Sequence, residues 1–154
     1  MQLPNRFIAF TLSIACGLFS CSQRVEQDQV RNSRELLHFN QYLEKTFNLQ
    51  VPQDSAYFVL INETGCVECV QRSIEHFTSI PKSTLIMTAA TQEKYKHILA
   101  KSEAHAVMID ATRKINKLRY HGGNIGVLAT SNYKIDSILV LDIINMEERM
   151  RMFN

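Results

Sequence analysis

The chain is short of the features that mark most function classes. It carries no excess of one charge: 17 Lys and Arg stand against 15 Asp and Glu, mixed along the sequence, so no basic patch points to nucleic acid. Internal repeats and low-complexity segments are absent, which excludes repeat arrays. No apolar run approaches the ~20 residues that span a membrane; the longest, Phe7–Phe19, holds 13. Glycine is scarce, and Gly122-Gly123 lack the further glycines and the helix start of a phosphate cradle, so they read as a tight turn. Only one C-x-x-C occurs, where a four-ligand zinc site commonly draws on two, and the histidines are scattered at 38, 76, 97, 105 and 121. No Ser-His-Asp arrangement can be picked out.

Residues 1–20 read as a secretory signal: Arg6 in a short n-region, then the apolar run, then small residues before Cys21. Leu18-Phe19-Ser20-Cys21 resembles a bacterial lipobox, a resemblance that implies a lipid-modified Cys21 as the first mature residue and discards Cys16. An ordinary cleaved signal or an uncleaved anchor remains the alternative. Residues 21–31 are polar and Gln-rich and read as a tether. Residues 32–154 then form one domain, enough chain to bury a core, and loss of Arg6 leaves the mature chain nearly neutral with 16 basic and 15 acidic side chains. Ser22 is not the Asp that commonly retains lipoproteins at an inner membrane, which favours the outer membrane slightly.

With Cys16 removed and Cys21 acylated, Cys66 and Cys69 are the remaining thiols. They follow the apolar run Tyr57-Phe58-Val59-Leu60-Ile61 and the polar turn Asn62-Glu63-Thr64-Gly65, and they open an amphipathic segment. A C-x-x-C at a strand-to-helix junction is a redox-motif context. The two sulfurs sit one helical turn apart, and the first lies where unpaired N–H groups and the helix dipole favour a thiolate.

Periodicity predicts a helix over 34–47 capped by Ser33, with Leu36, Phe39, Leu43 and Phe47 on one face. A buried strand is expected at Tyr57–Ile61, then a helix from the C-x-x-C with Val67, Val70, Ile74 and Phe77 on one face, stopping before Pro81. Further strands are expected at Thr84–Thr88 and His105–Ile109, separated by a helix that Thr91 opens. Ile125–Thr130 and Ile135–Leu141 form a hairpin. Asn145, with Glu148 three residues later, gives a capping-box-like start to a last helix bearing Met146, Met150 and Phe153.

This β-α-β-α-β order, closed by a β-hairpin and a C-terminal helix, resembles the thioredoxin superfamily over residues 51–154. The resemblance implies an α/β, three-layer sandwich around a mixed central sheet. The extra strand and loop at 104–124 resemble membrane-anchored thioredoxin-like proteins and the peroxiredoxin-like branch. Three positions depart from that pattern: Gly65 replaces an aromatic residue, Leu60 replaces a buried acid, and Gly123-Asn124-Ile125-Gly126-Val127 lacks the family's cis-proline. A non-proline cis bond costs about 2.5–4 kcal/mol, so a trans bond is expected there.

The implied activity is that of a periplasm-facing thiol–disulfide oxidoreductase acting on protein thiols or disulfides in the cell envelope, without cofactor or metal. Cys66 would attack and Cys69 resolve. Glu68 between them raises the cost of a second negative charge and modulates the pair toward a reductant or isomerase-like poise. Other readings of the pair are a structural disulfide, a metal site including His76, and a redox-inactive thioredoxin-like lipoprotein serving as a binding or assembly module.

Overall fold

The computed structural model describes residues 34–62, 66–100, 106–118 and 125–153. The signal, the Cys21 lipid site, the tether, Cys16, Ser33, Gly65, His105 and Gly122–Asn124 lie outside them. Among the described residues no helix is long and apolar enough to cross a membrane.

Helix α1 covers 34–47 and buries Phe39, Tyr42 and Leu43, the i, i+3, i+4 stripe of an amphipathic helix. Asn48 ends it with a positive φ of 55°, where Asn is among the few non-glycine residues that sit readily. The elements that follow are β1 (Ala56–Ile61), α2 (Val67–Phe77), β2 (Ser83–Met87), α3 (Ala89–Leu99), β3 (Ala106–Ile109), a 3-10 turn (Lys114–Lys117), β4 (Ile125–Ser131), β5 (Lys134–Leu141), α4 (Met146–Met150) and a 3-10 turn (Arg151–Phe153).

The protein is a mixed α/β fold with one five-stranded sheet in the order β3-β2-β1-β4-β5. β1, β2 and β3 are parallel neighbours, while β4 runs antiparallel to both β1 and β5. A central strand must present apolar residues to both faces, and β1 does so. Val59 and Ile61 join a core with Val70, Ile74 and Phe77 of α2, Tyr95 and Ile98 of α3, and Met146 of α4. Phe58 and Leu60 join a second core with Phe39, Tyr42 and Leu43 of α1 and Ile115 of the first 3-10 turn. The sheet therefore carries α1 on one face and α2, α3 and α4 on the other. α3 shares the α2 face because both β-α-β crossovers step the same way along the sheet, and crossovers keep one hand.

The β4–β5 hairpin turns through Asn132 and Tyr133, both at positive φ (49° and 60°), the backbone of a two-residue turn that matches strand twist. The strands pair one residue further into the turn than the alternation of apolar residues indicates. A bulge lies between Ala129 and Thr130.

Helix starts differ most from the sequence expectations. α3 begins at Ala89, with Thr88 as N-cap: its Oγ1 accepts the Thr91 N–H at 3.3 Å. Thr91 is the third helical residue, because the short Ala89 and Ala90 carry no periodic signal. Asn145 forms no capping box. Its side chain turns back to Asp142, with Nδ2 donating to Oδ2 at 2.8 Å, while Asp142 Oδ1 accepts the N–H groups of Ile144 and Asn145. Val67 is exposed (53 %), so the buried stripe of α2 is Cys69, Val70, Ser73, Ile74 and Phe77.

The irregular stretch after β3 is organised by Asp110, which is fully buried. Its carboxylate accepts four hydrogen bonds: Tyr42 O–H, Thr112 N–H, Thr112 O–H and Ile115 N–H. A buried carboxylate needs that many donors to replace its water. Burial, and then the Asp110 charge, push the Tyr42 phenol far above its ordinary value.

Candidate dithiol site

β1 runs buried to Ile61 and hands the chain, through Asn62 and the turn, to Cys66 at the N-cap of α2. The register pairs Ile61 with Ile125, so the start of β4 lies beside the same end of β1, and Ile125 is packed in the core that holds Cys69. No cis peptide bond occurs among the described residues.

Both thiols are free. Cys66 is half-buried and Cys69 is 2 % exposed. Helical spacing explains the difference: Cys69 leads the inward stripe, while Cys66 stands at the helix end. The sulfur of Cys66 acts as the cap, accepting the Cys69 N–H at 3.4 Å. Hydrogen bonding from the Cys69 side chain first, and from its backbone N–H second, holds the Cys66 thiol below its ordinary value. Burial pushes the Cys69 thiol up to about 11, and the hydrogen bond and negative charge of Cys66 add to that rise. The result is one acidic, reachable sulfur and one protonated, hidden sulfur.

Glu68 turns outward. Its carboxylate is paired with Arg72 at 2.7 Å, and Arg72 also holds Glu147 of α4 at 2.9 Å. The Glu68 charge is the smallest of the influences on both thiols. Leu60 is buried in the α1-facing core, away from the sulfurs. His76 bonds the Met150 carbonyl at 3.1 Å and ties α2 to the C-terminal segment. Among the described residues no three His, Cys, Asp or Glu side chains are grouped as a metal site.

Several residues of this region gave no signal in the sequence. Asn62 is buried, its Oδ1 lacks a hydrogen-bond partner among the described residues, and it lines a cavity of about 110 Å³ between α2 and α3 with Thr91 and Tyr95. Ser73, one turn below Cys69, is buried, and its Oγ has no hydrogen-bond partner among the described residues. Ile143 and Ile144, in the turn before α4, are 67 % and 93 % exposed and border a groove of about 290 Å³ that Cys69 and Arg72 also line. Two adjacent isoleucines after an apolar strand look like its continuation, and only the Asp142 turn shows them to be displayed.

No family model, curated protein or solved structure matches the chain.

Proposed function

We propose that the protein is a thiol–disulfide oxidoreductase working through Cys66 and Cys69 on a thioredoxin-like arrangement, anchored by a lipid on Cys21 and facing the periplasm. The observation that carries this reading is the asymmetry of the two sulfurs. Cys66 caps α2 and is held below its ordinary value, while the buried Cys69 is pushed up to about 11. Thiolate is the attacking species, so acidity and access select Cys66 as nucleophile. A cysteine pair kept only for packing has no need of that division.

The chemistry follows from the geometry. Cys66 thiolate attacks one sulfur of a partner disulfide; a Cys66–partner mixed disulfide forms, and the other partner sulfur leaves as thiolate and takes a proton from water. Loss of the Cys66 charge and of its hydrogen bond removes two of the four causes that raise Cys69, leaving burial and the small Glu68 contribution. Cys69 can then ionise and attack Cys66, forming the intramolecular disulfide and releasing the second partner thiol. The partner gains two electrons and two protons, and the protein is left oxidised until a dithiol donor reduces it. Exchange is thus timed by the removal of one negative charge. The reductant or isomerase-like poise rests on the Glu68 carboxylate beside the pair, and Arg72 weakens it by pairing with that carboxylate.

A redox-inactive binding or assembly module is the second reading, favoured by the missing proline in Gly123–Val127 and by the displayed isoleucines. The test is equilibration with glutathione buffers together with an insulin-type disulfide reduction assay. Cys66→Ala should abolish exchange, and Cys69→Ala should accumulate a mixed disulfide with its partner in envelope extract. A disulfide inert to dithiol reductants, with nothing trapped by Cys69→Ala, would leave the binding module. Cys21→Ser should release the protein from membranes; unchanged membrane association would remove the anchor from the proposal.

A further inference from the structure

Beside the dithiol lies a surface that the exchange chemistry does not use. The turn between β5 and α4 projects Ile144 at 93 % exposure and Ile143 at 67 %. Apolar side chains as exposed as these are ordinary when scattered, but two adjacent ones bordering a groove mark a contact site. They are not loose. Asp142 Oδ1 fixes the Ile144 N–H at 2.9 Å and the Asn145 N–H at 3.0 Å, and Asn145 Nδ2 returns to Asp142 Oδ2. A display held in place before binding loses less entropy when a partner arrives. The groove they border, about 290 Å³, is floored by Met146 and reaches Cys69.

The charged lining says what fits. Arg72 spans the groove from α2 to α4 and binds one oxygen each of Glu68 and Glu147. Two carboxylates to one guanidinium leave the lining with a formal charge of −1. All three side chains are substantially exposed, so a cation brought by a partner can share these carboxylates with Arg72. An anionic lipid surface would meet the same carboxylates as repulsion. A second copy docked about a two-fold axis would bring its own Glu147 toward this one.

We propose that this groove docks an extended segment of the partner protein, seating an aliphatic side chain on Ile143, Ile144 and Met146 and a Lys or Arg against Glu147 and Glu68. Cys69 lines the groove and its N–H bonds the Cys66 sulfur at 3.4 Å, so the docked segment carries its cysteine beside the attacking thiol. This inference rests on the exchange reading above and adds to it a substrate class: cysteines flanked by an aliphatic and a basic residue.

The test uses the reduced full chain and two peptides, acetyl-Leu-Cys-Arg-amide and acetyl-Leu-Cys-Glu-amide, each as a mixed disulfide with thionitrobenzoate. Hydroxyethyl disulfide is the small uncharged reference. The Arg peptide should release thionitrobenzoate about tenfold faster than the Glu peptide, and the gap should narrow as salt rises to about 0.5 M. Ile144→Asn and Glu147→Lys should each lower the ratio of Arg-peptide rate to hydroxyethyl disulfide rate. Leu49→Asn, at an exposed apolar site outside the groove, should leave that ratio unchanged. Equal peptide rates in a protein that reduces hydroxyethyl disulfide overturn the docking proposal and leave exchange standing. Failure to reduce any of the three disulfides overturns exchange and docking together. A dimer, or vesicle binding, that Ile144→Asn abolishes while peptide rates stay unchanged assigns the isoleucines to a second copy or to lipid, and overturns the proposal as well.

Discussion

On the α1 face of the sheet, the buried carboxylate of Asp110 has all four of its hydrogen bonds supplied by protein groups, and around it Phe39, Tyr42, Phe58 and Ile115 are close-packed. On the α2 face, Asn62 Oδ1 and Ser73 Oγ are buried without partners among the described residues, and a buried thiol lies one helical turn from a half-buried one. Thr46 Oγ1, near the end of α1, is the exception on the first face. Polar atoms left unmatched in a core cost stability and persist where another demand is met. Polar matching is thus tighter on the α1 face, and the two thiols lie on the face that tolerates polar mismatch.

Removing Asp110 should produce the largest effect on stability. Asp110→Ala strands the Tyr42 O–H and the Ile115 N–H in a dry core and unties the first 3-10 turn from α1, at a cost of about 3 kcal/mol or more. Urea denaturation measures it. Alkylation of Cys66 in the folded protein should keep its pH dependence, because Asp110 and the dithiol belong to opposite faces. A shift in that profile would show the faces to be coupled and break the comparison.

Ser73→Ala should act with the opposite sign. The hydroxyl is fully buried and has no hydrogen-bond partner among the described residues, so its loss removes a desolvation cost and leaves only a small void. A gain of about 1 kcal/mol is expected. A loss of similar size would mean that Ser73 has a partner when folded, and that the α2 face is as well matched as the other.

The division between faces was only partly visible in the sequence. Tyr57–Ile61 identifies itself as a central strand because its residues are apolar on both sides, and the C-x-x-C after it marks the junction. The 3.6-residue stripe in α1 is equally plain. Asp110 could not be found this way, since a lone acid in an irregular stretch looks solvated until Tyr42, distant in sequence, is packed on it. Asp142 is hidden for a related reason: Asn145 with Glu148 matches a capping box in letters, yet the carboxylate three residues earlier takes the Asn145 N–H that Glu148 would accept. Val67 shares the azimuth of Ile74 but lies in the first turn of α2, where periodicity alone cannot report exposure. Which face α3 takes depends on the order of strands in the sheet, which no local pattern carries.

The smallest effect is the pH dependence of stability, and it distinguishes the two sulfurs. In the unfolded chain both thiols titrate near ~8.5. Cys66 titrates lower when folded, so its contribution to stability is complete above the unfolded value and is lost as pH falls through the folded one. Cys69 titrates at about 11 when folded, so the unfolded chain releases its proton first, and stability is lost as pH rises from ~8.5 toward that value. The stability of the reduced protein relative to its Cys66–Cys69 disulfide form should therefore rise, pass through a maximum near pH ~8.5, and fall. Denaturation midpoints of the two forms over a pH series provide the difference curve. Cys69→Ala should abolish the falling limb, and it should also move Cys66 alkylation to higher pH, because the Cys69 side chain is the first cause of the Cys66 shift. A difference curve without a maximum would mean that the two thiols are equivalent, and the asymmetry on which the exchange mechanism depends would be gone.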